Sequence, residues 1–120
     1  MIATGSHAFV PPVEGIEGTG NILAFHSMED CDQVIKLSEN ACNIIILGAG
    51  LVGVDVAYGL ADKGKNVTLI DMKDHMMSIQ LDKKASAIYE KEFLKAGVQQ
   101  IYHTRIRKIE KNADGNIESV

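Results

Sequence analysis

A short apolar run, Ile44 to Leu47, enters the turn Gly48-Ala49-Gly50-Leu51-Val52-Gly53. No other segment limits the fold of this chain as strongly. A helical pattern runs from the turn to Gly64, and a β-rich run, Val67 to Ile70, then ends on Asp71. Strand, G-x-G-x-x-G turn, helix, strand and acid in that order predict a βαβ unit with parallel strands. The acid lies 71 − 53 = 18 residues past the last glycine, close to the spacing of about 20 found in such units.

The residue types explain one another. Gly48 permits the tight turn out of the strand. Gly50 lets a pyrophosphate approach the backbone, and Gly53 lets helix and strand pack closely. The helix opens with unpaired N–H groups and the positive end of its dipole. A site built from those donors needs no cation, and none occurs between Ile44 and Asp62. Ala57 is small and lies four residues after Gly53, on the helix face that must press on the sheet. Gly64 follows Lys63 as a helix-ending glycine. Asp71 can accept both hydroxyl hydrogens of an adenosine ribose. The expected nucleotide-binding residues are therefore Gly48, Ala49, Gly50, Leu51, Val52, Gly53, Asp71 and the following Met72.

Length and charge bound the rest. The chain has 120 residues, enough for one core. Net charge is −4 and the basic residues form no stripe, which argues against a nucleic-acid partner. There is no signal-peptide pattern and no apolar run near the length of a membrane span, so a cytoplasmic protein without a membrane partner is expected. Cys31 and Cys42 form no CxxC pair and read as reduced thiols. His7, His26, His75 and His103 are scattered, so no metal site is expected.

Along the chain, Ile2 and Ala3 read as the remnant of a strand, and Gly5 to Gly20 as a linker that holds both prolines. Ser27-Met28-Glu29-Asp30 resembles a capping box. Cys31, Val34, Ile35 and Ser38 then share one face of a helix from about Glu29 to Ser38. Met76 and Met77 lie in a loop after Asp71, where methionine most often fills gaps. Asp82 caps the next helix, whose apolar stripe is Ala85, Ile88, Tyr89, Phe93 and Ala96 with Glu92 as the polar intruder. Gly97 stops it. Val98 to Tyr102 is a third strand. Arg105 to Lys111 and Ile117 to Val120 form an antiparallel hairpin around Ala113-Asp114-Gly115-Asn116. Its cluster Arg105, Arg107, Lys108 and Lys111 reads as a solvated face. Both ends look like interior chain, which suggests a piece of a longer protein.

Three further motifs carry a family likeness. Ala3-Thr4-Gly5-Ser6 after an apolar residue resembles the ATG segment that closes the flavin domain of two-dinucleotide-fold flavoproteins. Pro11-Pro12-Val13-Glu14-Gly15-Ile16 is similar to the proline stretch that follows it, and Phe93-Leu94-Lys95-Ala96-Gly97-Val98 to a later helix end. Together with the glycine turn, these resemble the FAD-dependent pyridine nucleotide-disulfide oxidoreductases across nearly all 120 residues. Within that family the likeness is to the NADH oxidase, coenzyme A-disulfide reductase, rubredoxin reductase and nitrite reductase flavoprotein branch.

The resemblance implies an α/β fold, a Rossmann-like three-layer NAD(P)-binding domain. Its parallel sheet would carry a β-hairpin or meander excursion, truncated at both ends. It implies residues 1–30 as the tail of an FAD-binding domain with a linker, and 31–120 as the NAD(P)H-binding domain. A flavin fingerprint, a redox cysteine and a dimerisation domain would lie elsewhere in the parent, as partners of this segment. The parent would pass hydride from NAD(P)H to FAD and on to a disulfide, oxygen or protein acceptor, and the segment alone would not turn over. The family's glutamate near the nicotinamide is Asp55 here, one methylene shorter.

A 2′-phosphate beside Asp71 would meet a like charge, with Lys73 the one nearby cation. NAD(H) is therefore expected over NADP(H). A full domain of this type carries a further parallel strand beyond Val120, and an open edge there favours a homo-oligomer. The competing classes are a noncatalytic nucleotide-binding or electron-transfer subunit and a SAM-dependent methyltransferase-like domain. The methyltransferase glycine loop usually lacks the third glycine and the small residue four positions later.

Overall fold

The strand that enters the glycine turn is β1 (Asn43–Leu47), and it pairs in parallel with β2 (Asn66–Ile70) from Asn43↔Asn66 to Leu47↔Ile70. The computed structural model describes residues 1–120. A third strand, β3 (Gln99–Ile101), pairs in parallel with β2 from Thr68↔Gln99 to Ile70↔Ile101. The sheet order is β1-β2-β3, so chain order and spatial order agree. Parallel crossovers are right-handed. The two connecting helices, α2 (Leu51–Asp62) and α3 (Lys83–Lys95), therefore cover the same face of the sheet.

Alternation along the strands decides what that face buries. Val67 and Leu69 of β2 point at the helices and are buried, together with Val54, Ala57 and Leu60 of α2 and Phe93 of α3. Ala57 is fully buried, and its small size lets α2 approach the sheet. The opposite face carries Ile45, Leu47 and Ile101, which stay 45%, 44% and 42% exposed. These elements belong to one compact unit, Asn40–Arg105.

Helix α3 buries Phe93 of its expected stripe, but the buried face is rotated from the rest of it. Asp82 caps it as anticipated, with its Oδ1 accepting the Ala85 N–H at 2.9 Å. Ile88 and Tyr89, however, are 66% and 49% exposed, and Ser86 is buried instead. Glu92 points to solvent and pairs with Lys95 at 2.7 Å. The physical reason lies one position along the helix. Glu90, half-buried, accepts hydrogen bonds from the Met76 N–H and the Ser86 hydroxyl. A polar contact of this kind fixed the rotation of the helix, and apolar spacing alone could not show it.

The second unit comprises Met1–Glu39 and Ile106–Val120. Helix α1 (Met28–Asn40) begins with the expected capping box. Asp30 Oδ2 accepts the Ser27 N–H at 2.7 Å, and Ser27 Oγ accepts the Asp30 N–H at 3.2 Å. Of its expected apolar face only Ser38 is buried. Ile2 and Ala3 form no strand, because no segment pairs with their backbone, and Ile2 is 92% exposed.

The hairpin is present but shorter than expected, with β4 (Glu110–Lys111) antiparallel to β5 (Ile117–Ser119). Its turn is held by Asn112 Oδ1, which accepts the N–H groups of Asp114 and Asn116 at 3.1 and 3.0 Å. Before β4 the chain pairs elsewhere: Arg107 O accepts the Glu14 N–H, and Glu14 O accepts the Ile109 N–H, at 3.3 and 2.8 Å. A side chain at Gly15 would lie 2.3 Å from Ile109 O, at φ +85°, so only glycine permits this pairing. Arg105, Arg107 and Lys108 are solvent-exposed.

Candidate nucleotide-binding site

The C-terminal ends of β1 and β2 bring the glycine turn and Asp71 together. Gly48 N–H donates to Ile70 O at 2.8 Å. Its φ of +114° lies in the region that side chains avoid, so the turn needs glycine there. Gly50 is the N-cap of α2, at φ −78° and ψ −178°, and no side chain caps the helix. A Cβ added at Gly50 would find nothing within 4 Å. The backbone is thus open to solvent where a phosphate would approach. At Gly53 an added Cβ would lie 1.9 Å from Gly48 O. Helix and turn are in backbone contact there, as the motif requires. Leu51 and Val52 are each 54% exposed and flank the helix start.

Asp71 is half-buried at the same end of the sheet. Its Oδ2 accepts the Ala49 N–H at 2.5 Å, and its Oδ1 accepts the Lys73 N–H at 2.7 Å. Two backbone donors thus fix the carboxylate against the glycine turn, with one face toward solvent. Met72 is exposed beside it, and Asp55 is exposed on α2. The structure therefore gathers Gly48, Ala49, Gly50, Gly53 and Asp71 at one place. A concavity of about 430 Å³ lies elsewhere, against Asn43, Asn66 and Gln99 at the opposite strand ends. Ligands of open α/β sheets bind at the carboxyl ends, so the glycine turn is the better candidate.

Sequence reasoning missed what stands behind the turn. Met77, at φ +51°, donates its N–H to Ala49 O at 2.8 Å. Met76 and Met77 are buried, so they do fill space under the loop. Gln100 Nε2–H donates to Glu90 O at 2.9 Å, and the Tyr102 hydroxyl donates to Gln100 Oε1 at 2.8 Å. Burial raises the Tyr102 pKa, helped by the carboxylates of Glu90 and Asp71. The available signal was Ser86 and Glu90, polar residues four apart and therefore on one helical face.

The same loop holds a charged clamp. His75 Nδ1 lies 2.5 Å from Asp74 Oδ1, and Nε2 lies 3.1 Å from Leu81 O. Both neighbours are acceptors, so only the imidazolium satisfies both. The Leu81 carbonyl and the Asp74 carboxylate raise the His75 pKa above 6.5, against the effect of burial. Lys83, 2.6 Å from Asp74, and then His75 lower the Asp74 pKa from 3.8 to about 2. The raised His75 value contributes stability that is fully present below pH 6.5 and lost as pH rises through the folded value. The lowered Asp74 value contributes stability present above pH 3.8 and lost as pH falls toward 2. Urea unfolding from about pH 5 to about pH 9 is expected to show stability falling on the alkaline side, and His75→Gln should flatten that fall. An unchanged slope in the variant would remove His75 as its source.

The model of the pyridine nucleotide-disulphide oxidoreductase family matches residues 1–120. The chain belongs to this family. It is 27% identical to the NADH oxidase of Enterococcus faecalis, over all of this chain and 27% of that protein. It is 30% identical to the epsilon subunit of the NADH-dependent phenylglyoxylate dehydrogenase of Aromatoleum evansii, over 96% of this chain and 27% of that subunit. The structure of the water-forming NADH oxidase from Lactobacillus brevis, bound to NADH, matches with a TM-score of 0.83 at 25% identity. That match covers 95% of this chain and 26% of the oxidase. The chain thus spans about a quarter of the length of these relatives. No helix is long and apolar enough to cross a membrane.

Proposed function

We propose that this chain is the NADH-binding segment of a flavoprotein oxidoreductase. The observation that carries the reading is the uncapped start of α2 at Gly50, one residue past the Ala49 N–H that fixes the Asp71 carboxylate. The first-turn N–H groups of Leu51, Val52 and Gly53 would bind the pyrophosphate, with the helix dipole adding to the attraction. Asp71 would accept the adenosine ribose hydroxyls, and Met72 would border the adenosine. Asp55 would lie on the nicotinamide side. The nicotinamide supplies hydride, and the parent's FAD carries the electrons on to a disulfide, oxygen or protein acceptor. This chain holds a single G-x-G-x-x-G, so other parts of the parent would bind the flavin. Its own residues bind and orient the coenzyme. The Asp71 carboxylate favours NAD(H) over NADP(H), because a 2′-phosphate would bring a second negative charge to it. The likeness to the epsilon subunit supports a second form of the same reading, an electron-transfer subunit within a larger complex.

A 1H–15N correlation titration with NADH and then NADPH tests the proposal. Saturable shifts at Gly48, Gly50, Gly53 and Asp71, stronger with NADH, are expected. A dispersed spectrum that neither coenzyme moves would refute nucleotide binding by this segment.

A further inference from the structure

The glycine turn is held from behind by a relay that starts on α3. Glu90 Oε1 accepts the Met76 N–H at 3.1 Å and the Ser86 hydroxyl at 2.9 Å. The next residue, Met77, donates its N–H to Ala49 O at 2.8 Å. Ala49 is buried, and its own N–H is taken by Asp71 Oδ2. Both backbone groups of the second motif residue are therefore tied, one to the acid and one to the loop.

That tie has a directional consequence. A trans peptide points its C=O and N–H in opposite directions. With Ala49 O drawn toward Met77, the N–H of Gly50 on the same peptide points the other way. The start of α2 is thereby set before any ligand arrives, which lowers the ordering cost of binding. We propose that Glu90 is a positioning residue for the phosphate-facing turn, acting through the backbone of Met76 and Met77 on the Ala49 carbonyl. This rests on the dinucleotide reading of Gly48 to Gly53.

Met77 shows why the relay needs an anchor. Its φ of +51° is a conformation that non-glycine residues rarely adopt, and such residues persist when neighbours over-determine them. The neighbours are present. Met77 O accepts the N–H groups of Gln80 and Leu81 at 2.8 and 2.9 Å. On the other side, Glu90 fixes the His75–Met76 peptide, one linkage before the one that carries the Met77 N–H. Met76 is fully buried, so its N–H would be orphaned without the carboxylate. The loop would then have to move to satisfy it, and Met77 would move with it. Gln100 holds Glu90 in place by donating to its backbone carbonyl. The hydrogen bonds of the Glu90 carboxylate go to Met76 and Ser86 rather than to the expected ligand-facing residues, so the route to the turn runs through this backbone.

The test uses the whole chain with Glu90→Ala and Glu90→Gln. Two readouts are taken: amide hydrogen exchange at Met76 and Met77 without ligand, and the NADH Kd. In Glu90→Ala the Met77 amide is expected to exchange about tenfold faster, and NADH to bind about tenfold more weakly. Glu90→Gln keeps an acceptor oxygen and should return both to within about threefold. Faster exchange at Met76 with none at Met77 would overturn the relay. So would an NADH Kd in Glu90→Ala within about twofold of the unsubstituted chain. Should Glu90→Ala fail to fold, an amide-to-ester replacement of the Met76–Met77 linkage removes only the Met77 N–H. The relay predicts about tenfold weaker NADH binding there too, and unchanged binding would overturn it. If the unsubstituted chain does not bind NADH, the proposed function falls, and exchange at Met77 still decides the relay.

Discussion

Gly53→Ala is expected to abolish NADH binding and to lower unfolding stability by about 3 kcal/mol. The added methyl would lie 1.9 Å from Gly48 O and 3.1 Å from Gly48 C. Both are backbone atoms, so no side-chain rotation relieves the clash. Gly48 cannot retreat easily either, because its N–H is bonded to Ile70 O at 2.8 Å. Relief requires α2 to lift from β1, where Ile46 Cγ2 already stands 3.5 Å from the added atom. Urea unfolding reads the stability and calorimetric titration reads the binding. Gly50→Ala is the matched contrast. Its methyl meets nothing within 4 Å, and its φ of −78° suits any residue. Its stability should stay within about 0.5 kcal/mol, while NADH affinity falls because the methyl stands where the pyrophosphate approaches. Equal behaviour of the two variants would contradict the geometry of the turn.

The contrast also explains what could be read from the sequence. Gly48 and Gly53 follow from two separate backbone demands, a positive φ and a close contact, and each admits essentially one residue type; Gly50 answers a third, an open approach, only in the proposed complex. The motif and its βαβ context were therefore legible. The family resemblance stands on the same footing, and the family match covers the whole chain. The inward face of α3 was legible only in part, at Phe93. Ile88 and Tyr89 carried the stronger apolar signal, yet Ser86 and Glu90 face the core because buried N–H and O–H groups there need acceptors. Apolar periodicity reports area, and it is silent about which buried donors a loop elsewhere will present. Ile2 and Ala3 failed for a related reason. A strand is a property of a pair, and one segment cannot announce that its partner is absent. The relay through Met77 depends on contacts between residues 28 positions apart, Ala49 and Met77, which no local pattern encodes.

Asp71→Asn is expected to weaken NADH binding by about 30- to 100-fold, that is, by about 2 to 3 kcal/mol. The carboxylate has two tasks at once. It accepts from the Ala49 and Lys73 N–H groups at 2.5 and 2.7 Å, and in the proposed complex it also accepts from the ribose. The amide offers one oxygen and one NH2 in the same shape. One backbone donor then faces another donor, and either the glycine turn or the ribose contact is lost. The same substitution should narrow the coenzyme preference. A carboxylate and a phosphate about 4 Å apart repel by roughly 4 kcal/mol at an effective dielectric of about 20, less when salt screens them. Removing the charge lifts that penalty for NADPH while NADH loses a hydrogen bond. The two dissociation constants should therefore converge to within about threefold. A variant that lost both coenzymes in equal proportion would show Asp71 to be a support of the turn alone, and coenzyme choice would have to reside in another residue.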